Sequence, residues 1–127
     1  MATTINEMIS ARMPDEAVMF SSSVDVFIEE AIAEMGWSDR NTSDLSTLEK
    51  SHIADMASLA LVMPSMSHYK KSIKKASGEG AGEAEFLDNK LDWLNQISSQ
   101  LKSSIDYRKL LLSASTGVGA PMVLIGG

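Results

Sequence analysis

The chain has 127 residues, of which 44% are hydrophobic, and this is enough apolar material for one domain core without a metal or disulfides. The absence of cysteine excludes a disulfide framework, a thiolate metal site and thiol chemistry. A formal net charge of −6 disfavours non-specific DNA binding. The sequence has neither a basic-then-apolar leader nor an apolar run of the roughly 18 residues that span a bilayer, so we expect a soluble intracellular protein.

The first predicted element is a short helix over residues 4–11. Thr4 and Glu7 have the spacing of a capping box, in which each side chain bonds to the backbone amide of the other residue. A helix of this length is not stable in isolation. We therefore expect it to pack on another part of this chain or on a neighbouring molecule.

A second helix is expected to begin at Pro14, because proline suits the first helical position, and to end at Gly36. The serines at 21–23 could interrupt it after Phe20. Apolar residues recur at spacings of three and four in its later part, which indicates an amphipathic helix. These residues are Val24, Phe27, Ile28, Ala31, Ile32 and Met35.

Residues 43–75 form the longest apolar-rich run, and we predict that they are the central helix or a kinked helix pair. Ser43 or Ser46 can cap its beginning, and Ser46 with Glu49 matches a second capping box. Pro64 lacks an amide hydrogen and crowds the preceding turn. The helix is therefore predicted to stop or kink just before Pro64.

Charge is distributed unevenly along the chain. The amphipathic helix before Gly36 is acidic, whereas the segment after Pro64 carries lysines four residues apart on a basic face. A solvated helix face is the commonest meaning of such a run, and nucleic-acid binding is a second possibility. We favour an acidic partner, and predict a charged inter-subunit contact. It comprises Lys70, Lys71, Lys74, Lys75, Glu29, Glu30 and Glu34.

The glycines at 78–82 predict a flexible loop, followed by a long final helix. Apolar residues at helical spacing define that helix, and Leu110 to Leu112 extend it. The defining residues are Leu87, Leu91, Leu94, Ile97, Leu101 and Ile105. The fold class predicted from these elements is all-α, a small helical bundle over residues 1–113.

Residues 114–127 are predicted to form an extended C-terminal arm. This segment is uncharged, contains helix-breaking residues and ends in an apolar group that favours extended structure. Such a group can pair with a sheet edge or enter a groove of a partner, although folding back on its own core is an equally good interpretation. The predicted partner-binding residues of the arm are Val118, Pro121, Met122, Val123, Leu124 and Ile125.

No catalytic or metal motif accompanies these elements. Glu49 and His52 form one Glu-x-x-His motif, and a carboxylate-bridged dimetal site needs two. His68, the second histidine, lacks the matching carboxylate. Surface or capping roles are expected for both histidines. The glycines at 78–82 lack the lysine and the preceding strand of a phosphate-binding loop. We expect no enzyme activity, no cofactor and no metal.

The N-terminal third resembles the opening of head-to-tail adaptor (connector) proteins of tailed bacteriophages. The residues that carry this resemblance are Thr4-Ile-Asn-Glu-Met-Ile9, Pro14, and Ile28, Glu29, Ala31 and Ile32 of the amphipathic helix. The later layout is also similar to that family, with a helix, a basic-aromatic segment over residues 68–75, a loop and a helix that carries Leu91-Asp-Trp-Leu94.

The resemblance implies a structural virion protein made in the host cytoplasm and located in the neck, at the head-tail interface. It implies a homo-oligomeric ring, commonly of twelve copies, that contacts the portal protein and a tail or nozzle protein. DNA would pass through the channel without specific binding. Two alternatives remain: a small helical DNA-recognising packaging subunit similar to small terminase, and a helical regulator that binds a host protein.

Overall fold

The protein is described by a computed structural model that covers residues 3–76 and 81–115. Within these ranges it has five α-helices, one 3₁₀ turn and no strand. The helices are α1 (Ile5–Arg12), α2 (Pro14–Met19), α3 (Ser21–Glu34), α4 (Thr47–Ala76) and α5 (Ala81–Ser115), and the 3₁₀ turn is Thr42–Asp44. The prediction of an all-α helical bundle is confirmed.

Both predicted capping boxes form. The backbone amide of Thr4 donates to Glu7 Oε1 over 2.8 Å, and the amide of Glu7 donates to Thr4 Oγ1 over 3.1 Å. The hydrogen bond from the Thr4 backbone lowers the pKa of the Glu7 carboxyl. Ser46 and Glu49 make the same reciprocal pair before α4, over 2.8 and 3.1 Å. Two of the four orphan amides at each helix start are thus satisfied locally.

The predicted helix boundaries around α2 and α3 are also confirmed. Pro14 is the first residue of α2, and a break at Phe20 separates α2 from α3. Gly36 follows the end of α3 with a φ of 76°, a left-handed conformation that glycine adopts without steric cost.

Helix α4 is the central element, because it contacts each of the other four helices. Of the two outcomes predicted near Pro64, a stop or a kink, the stop is wrong, because α4 continues through this residue to Ala76. A proline inside an isolated helix costs about 3 kcal/mol. The side chains of Ser65 and Tyr69, just beyond the proline, are buried, so tertiary packing holds the helix together there.

The final helix packs against α4 along a seam of buried residues. Leu87, Leu94 and Leu101 are buried and recur every seven residues, the spacing at which two long helices stay in contact. Ile105 and Leu112 are also buried towards the end of α5. The predicted apolar spacing of this helix is therefore confirmed at these positions.

Two predicted segments fall mostly outside the described residues. Of the predicted loop 78–82, residues 78–80 lie outside them, whereas Gly82 already belongs to α5. Of the predicted arm, residues 116–127 lie outside them, and α5 extends to Ser115. Over the part of the chain that the structure describes, no helix is both long and apolar enough to cross a membrane.

Candidate functional site

The three acidic residues of the predicted contact lie on α3 with exposed side chains. We call Glu29, Glu30 and Glu34 the acidic face. None of them forms an ion pair with a described residue. Val26, which is 49% exposed, lies one helical turn before Glu29 and Glu30. The acidic face therefore has an exposed apolar residue beside it.

The lysines of the predicted contact lie on the second half of α4, along a groove of about 450 Å³. Met63 is 74% exposed in this groove, although it is a large apolar residue. Lys75 belongs to α4, but its side chain lies outside the described part of the structure. We define the lysine groove by its lining residues Met63, Met66, Ser67, Lys70, Lys71 and Lys74.

The acidic face and the lysine groove are both positioned against α4, by different parts of that helix. Glu30 and Glu34 line a separate groove between α3, α4 and α5, which Ala60 of α4 also lines. Lys70 follows Ala60 by ten residues of continuous helix. At a rise of about 1.5 Å per residue, this separates them by about 15 Å along the axis. Met63 of the lysine groove is only three residues from Ala60, so the two grooves are neighbours on α4. The glutamates of the acidic face nevertheless form no ion pair with Lys70 or Lys71 within one chain.

Asp55 joins three helices through ionic contacts. Its side chain is 4% exposed, and its two oxygens accept hydrogen bonds from Arg12 Nε of α1, over 2.6 Å, and from Arg108 Nη1 of α5. Arg12 also donates to the Met8 carbonyl and to Ser51 Oγ, both over 2.9 Å. No local sequence pattern indicates this cluster, because Arg12 and Arg108 are 43 and 53 residues from Asp55.

A second buried cluster joins α2, α4 and α5. Glu16 is fully buried, and its Oε2 accepts hydrogen bonds from Tyr69 Oη over 2.6 Å and from Lys90 Nζ over 2.8 Å. Burial and the hydrogen bond to Glu16 raise the pKa of the Tyr69 hydroxyl. Burial alone would lower the pKa of Lys90, but its bonds to Glu16 and Asp15 outweigh this and raise it. Lys90 Nζ also lies 4.3 Å from the ring centroid of Trp93.

The expectation of a surface or capping role is wrong for His52. Its side chain is fully buried, and neither ring nitrogen has a hydrogen-bond partner. Burial and the nearby Arg108 lower its pKa, although Asp55 acts in the opposite direction. The error arose because helical periodicity marks one apolar side of α4, whereas other helices cover α4 on several sides. His68 is exposed, as expected.

The half-motif of Glu49 and His52 does not form a ligand pair. The Glu49 carboxylate bonds to both terminal nitrogens of Arg40, over 2.8 and 2.9 Å, and to the Ser46 amide. The hydrogen bond from Arg40 lowers the pKa of Glu49 and raises that of Arg40. The described residues include no group of three or more side chains that could hold a metal ion.

The predicted arm residues lie beyond the described part of the chain, so their contacts remain predictions. These residues are Val118, Pro121, Met122, Val123, Leu124 and Ile125. Comparison with known proteins returned no matching family model, no matching curated protein and no matching solved structure.

Proposed function

We propose that this protein is a structural subunit of a bacteriophage head-to-tail adaptor, which assembles into a ring below the portal and continues the DNA channel. The observation that carries the proposal is that the acidic face on α3 and Lys70 and Lys71 on α4 have opposite charges but form no ion pair within one chain. Two different, complementary surfaces on one subunit form head-to-tail contacts, and such contacts generate a ring when the rotation closes.

The chemistry of the two surfaces supports a contact between them. Each combines charges of one sign with an exposed apolar residue, Val26 in one case and Met63 in the other. Lys70 and Lys71 form no ion pair with the described residues, and neither does any residue of the acidic face. Charge complementarity would select the partner surface, and the apolar residues would add buried area.

In this proposal, residues 116–127 of the predicted arm anchor each copy on the portal or on a neighbouring copy, since α5 extends to Ser115. The segment has no charged side chain and contains an apolar group at residues 122–125. A negatively charged channel lining would repel the DNA backbone and so allow DNA to pass without binding.

A charge-swap experiment with native mass spectrometry tests the ring contact. Lysine-to-glutamate changes at 70, 71, 74 and 75 should abolish the ring, and so should glutamate-to-lysine changes at 29, 30 and 34. A variant with both sets of changes restores the complementarity and should restore the ring. Lys102→Glu, an exposed site on α5, is the matched control. The contact would be contradicted if the combined variant formed no ring, or if rings persisted after either set of charge changes alone.

A second experiment tests the anchor, by mixing the protein with a candidate portal ring before and after deletion of residues 116–127. The adaptor function is supported if a symmetric number of copies binds the portal ring and this binding is lost on deletion. A monomer that does not bind the portal ring contradicts it.

The clustered lysines favour one other function, that of a small DNA-recognising packaging subunit. Phosphate contacts by several lysines would make DNA affinity fall steeply with salt. DNA binding that depends on salt and is lost when the four lysines are replaced would support this function over the adaptor.

A further inference from the structure

We propose that residues 122–125 of this chain dock in the chain's own groove between α3, α4 and α5. The groove has a volume of about 270 Å³. This is just below the usual range for small-molecule pockets, so it suits a few side chains of a peptide segment better than a whole ligand. Six of its nine lining residues are apolar. We call it the three-helix groove, and these apolar residues are Phe27, Ala31, Met56, Leu59, Ala60 and Ile105.

The apolar lining of the three-helix groove is only partly covered by the rest of the described structure. Phe27, Met56 and Leu59 are half-buried, whereas the core residues Ile53 and Leu61 of the same α4 are fully buried. Removing apolar surface from water lowers the free energy of the folded protein. The groove therefore offers apolar surface that a further segment can cover.

The charged residues of the groove favour an uncharged occupant. Glu30, Glu34 and Lys109 line it with exposed side chains, and none of them forms an ion pair with a described residue. A charged side chain of an occupant would meet a like charge on entering. The amides and carbonyls of an uncharged peptide backbone can instead bond to the two carboxylates and to the ammonium group.

Residues 116–127 have the matching composition. They include no charged side chain, and residues 122–125 are Met-Val-Leu-Ile, four apolar residues in succession. Successive side chains of an extended segment point to opposite sides, so two of these four can enter the groove together. Docking would therefore bury apolar groups of the segment and of the groove at the same time.

The length of the chain after α5 allows this contact within one molecule. Ser115 ends α5 and follows Lys109 by six residues, or about 9 Å along the axis. Residues 116–121 can span up to about 20 Å when extended. Gly117 and Gly119 lie in this linker and allow the chain to reverse direction. A short flexible link also gives an effective concentration in the millimolar range, which favours the segment of the same chain over that of a second copy.

Docking would also affect the acidic face, because Glu30 and Glu34 belong both to that face and to the groove. If the adaptor function proposed above holds, on which this step rests, the groove holds the anchor until the portal ring binds it, and its release uncovers the acidic face. The docking itself requires neither ring nor portal. It is therefore tested on the isolated protein, and can fail while the charge-swap experiment succeeds.

The test is paramagnetic relaxation enhancement measured by NMR on the full-length, ¹⁵N-labelled protein. Because the chain has no cysteine, Gly126→Cys provides a single attachment site for a nitroxide spin label. We expect the backbone amides of Ala60 and Lys109 to lose most of their signal intensity relative to the sample with reduced label. The amide of Lys90, about 28 Å from Lys109 along α5, should keep its intensity.

Two changes in the spin-labelled protein assign the effect to docking. Ala60→Gln places a longer polar side chain in the groove at an exposed helical position, so it should restore most of the lost intensity at Lys109. Serine at all four of positions 122–125 removes the apolar side chains and should have the same effect. Ala33→Gln, at an exposed position on α3 outside the groove, is the matched control and should leave the intensity loss unchanged.

Three results would overturn the proposal. The first is an amide of Ala60 that keeps as much intensity as that of Lys90. The second is an intensity loss that persists in both the Ala60→Gln and the serine variants, because the segment would then pass near the groove without binding to it. The third is a loss that also appears when ¹⁵N-labelled protein without a spin label is mixed with spin-labelled protein lacking ¹⁵N. That result would show that the segment of a second copy occupies the groove.

Discussion

The two halves of α4 differ sharply in their surroundings, although they belong to one continuous helix. Nine of the sixteen residues from Thr47 to Val62 are buried, against two of the twelve from Met63 to Lys74. The first half holds the core positions Ile53 and Leu61 and the ionic centre Asp55. The second half contributes the lysine groove. One helix therefore serves as the centre of the core at one end and as a binding surface at the other.

This difference shows why α4 is intact across Pro64. The first half is fixed by neighbours on several sides. The second half is held by fewer residues, namely the buried Ser65 and Tyr69 and the partly buried Met66 and Ile73, and Tyr69 also donates a hydrogen bond to the buried Glu16. Loss of a core contact in the first half should therefore cost much more stability than loss of an exposed group in the second. The following substitutions test this comparison.

The largest effect is expected from Leu61→Ala in the first half. Leu61 is fully buried, so the substitution leaves a cavity and should lower the free energy of unfolding by about 3 kcal/mol. The matched control is Met63→Ala, two residues later and 74% exposed, with an expected change within about 0.5 kcal/mol. Urea unfolding followed by circular dichroism measures both. Similar values for the two variants would show that the halves do not differ in this way.

The next effect is expected from Asp55→Asn. This change keeps the size of the side chain but leaves Arg12 and Arg108 without their shared carboxylate. Both arginines are about one-fifth exposed, so water limits the loss to about 2 kcal/mol. The control is Asp92→Asn, at an exposed position on α5, which should be nearly neutral. If Asp55→Asn lowers the free energy of unfolding by less than about 0.5 kcal/mol, the cluster adds no stability.

A smaller effect is expected from Tyr69→Phe in the second half. The substitution removes one hydrogen bond to Glu16 but leaves the bond from Lys90 in place, so the free energy of unfolding should fall by about 1 kcal/mol. Tyr107→Phe, at a position that is 64% exposed, is the matched control and should be neutral. Equal values for the two tyrosines would show that the hydroxyl of Tyr69 does not secure this end of α4.

The smallest effect on stability is expected from the protonation of His52. Its pKa is lowered in the folded state from the ordinary value of 6.5, so below that pH the unfolded chain binds a proton that the folded protein does not. Stability should therefore fall as the pH drops from about 6.5 towards 5, above the range in which carboxylates titrate. Charged groups that act on His52 are Arg108, Lys109, Asp55 and Glu34.

Thermal unfolding between pH 7 and pH 5 measures this slope. His52→Leu should flatten it, whereas His68→Leu, at the exposed histidine, should retain it. A slope that persists in the His52 variant would assign the pH dependence to other groups.

The helix starts were predictable because their signals are local. Thr4 with Glu7, Ser46 with Glu49, and Pro14 all act within one turn of the helix that they begin. Gly36 is a similar case at a helix end. Hydrogen bonds and backbone preferences within three or four residues determine where these helices start and end, and tertiary contacts did not displace these ends.

The candidate surfaces were predictable only in part. Charge spacing identified the lysines of α4 and the glutamates of α3, but the grooves that these residues line follow from how α3 and α5 pack against α4. The groove that Ile5, Ile28 and Lys50 line had no sequence signal, because its lining residues come from separate segments of the chain. The buried positions of Glu16 and His52 also had none, since polar residues are expected at the surface.

The sequence by itself determined the all-α class, most helix boundaries and the apolar seam of α5, because these depend on local capping and on the periodicity of a single helix. Only the tertiary structure decided that α4 continues through Pro64 and that His52 and Glu16 are buried. It also decided that Asp55 joins three helices. The physical reason is that burial depends on which elements cover a residue, and contacts between distant segments can outweigh a local preference of a few kcal/mol.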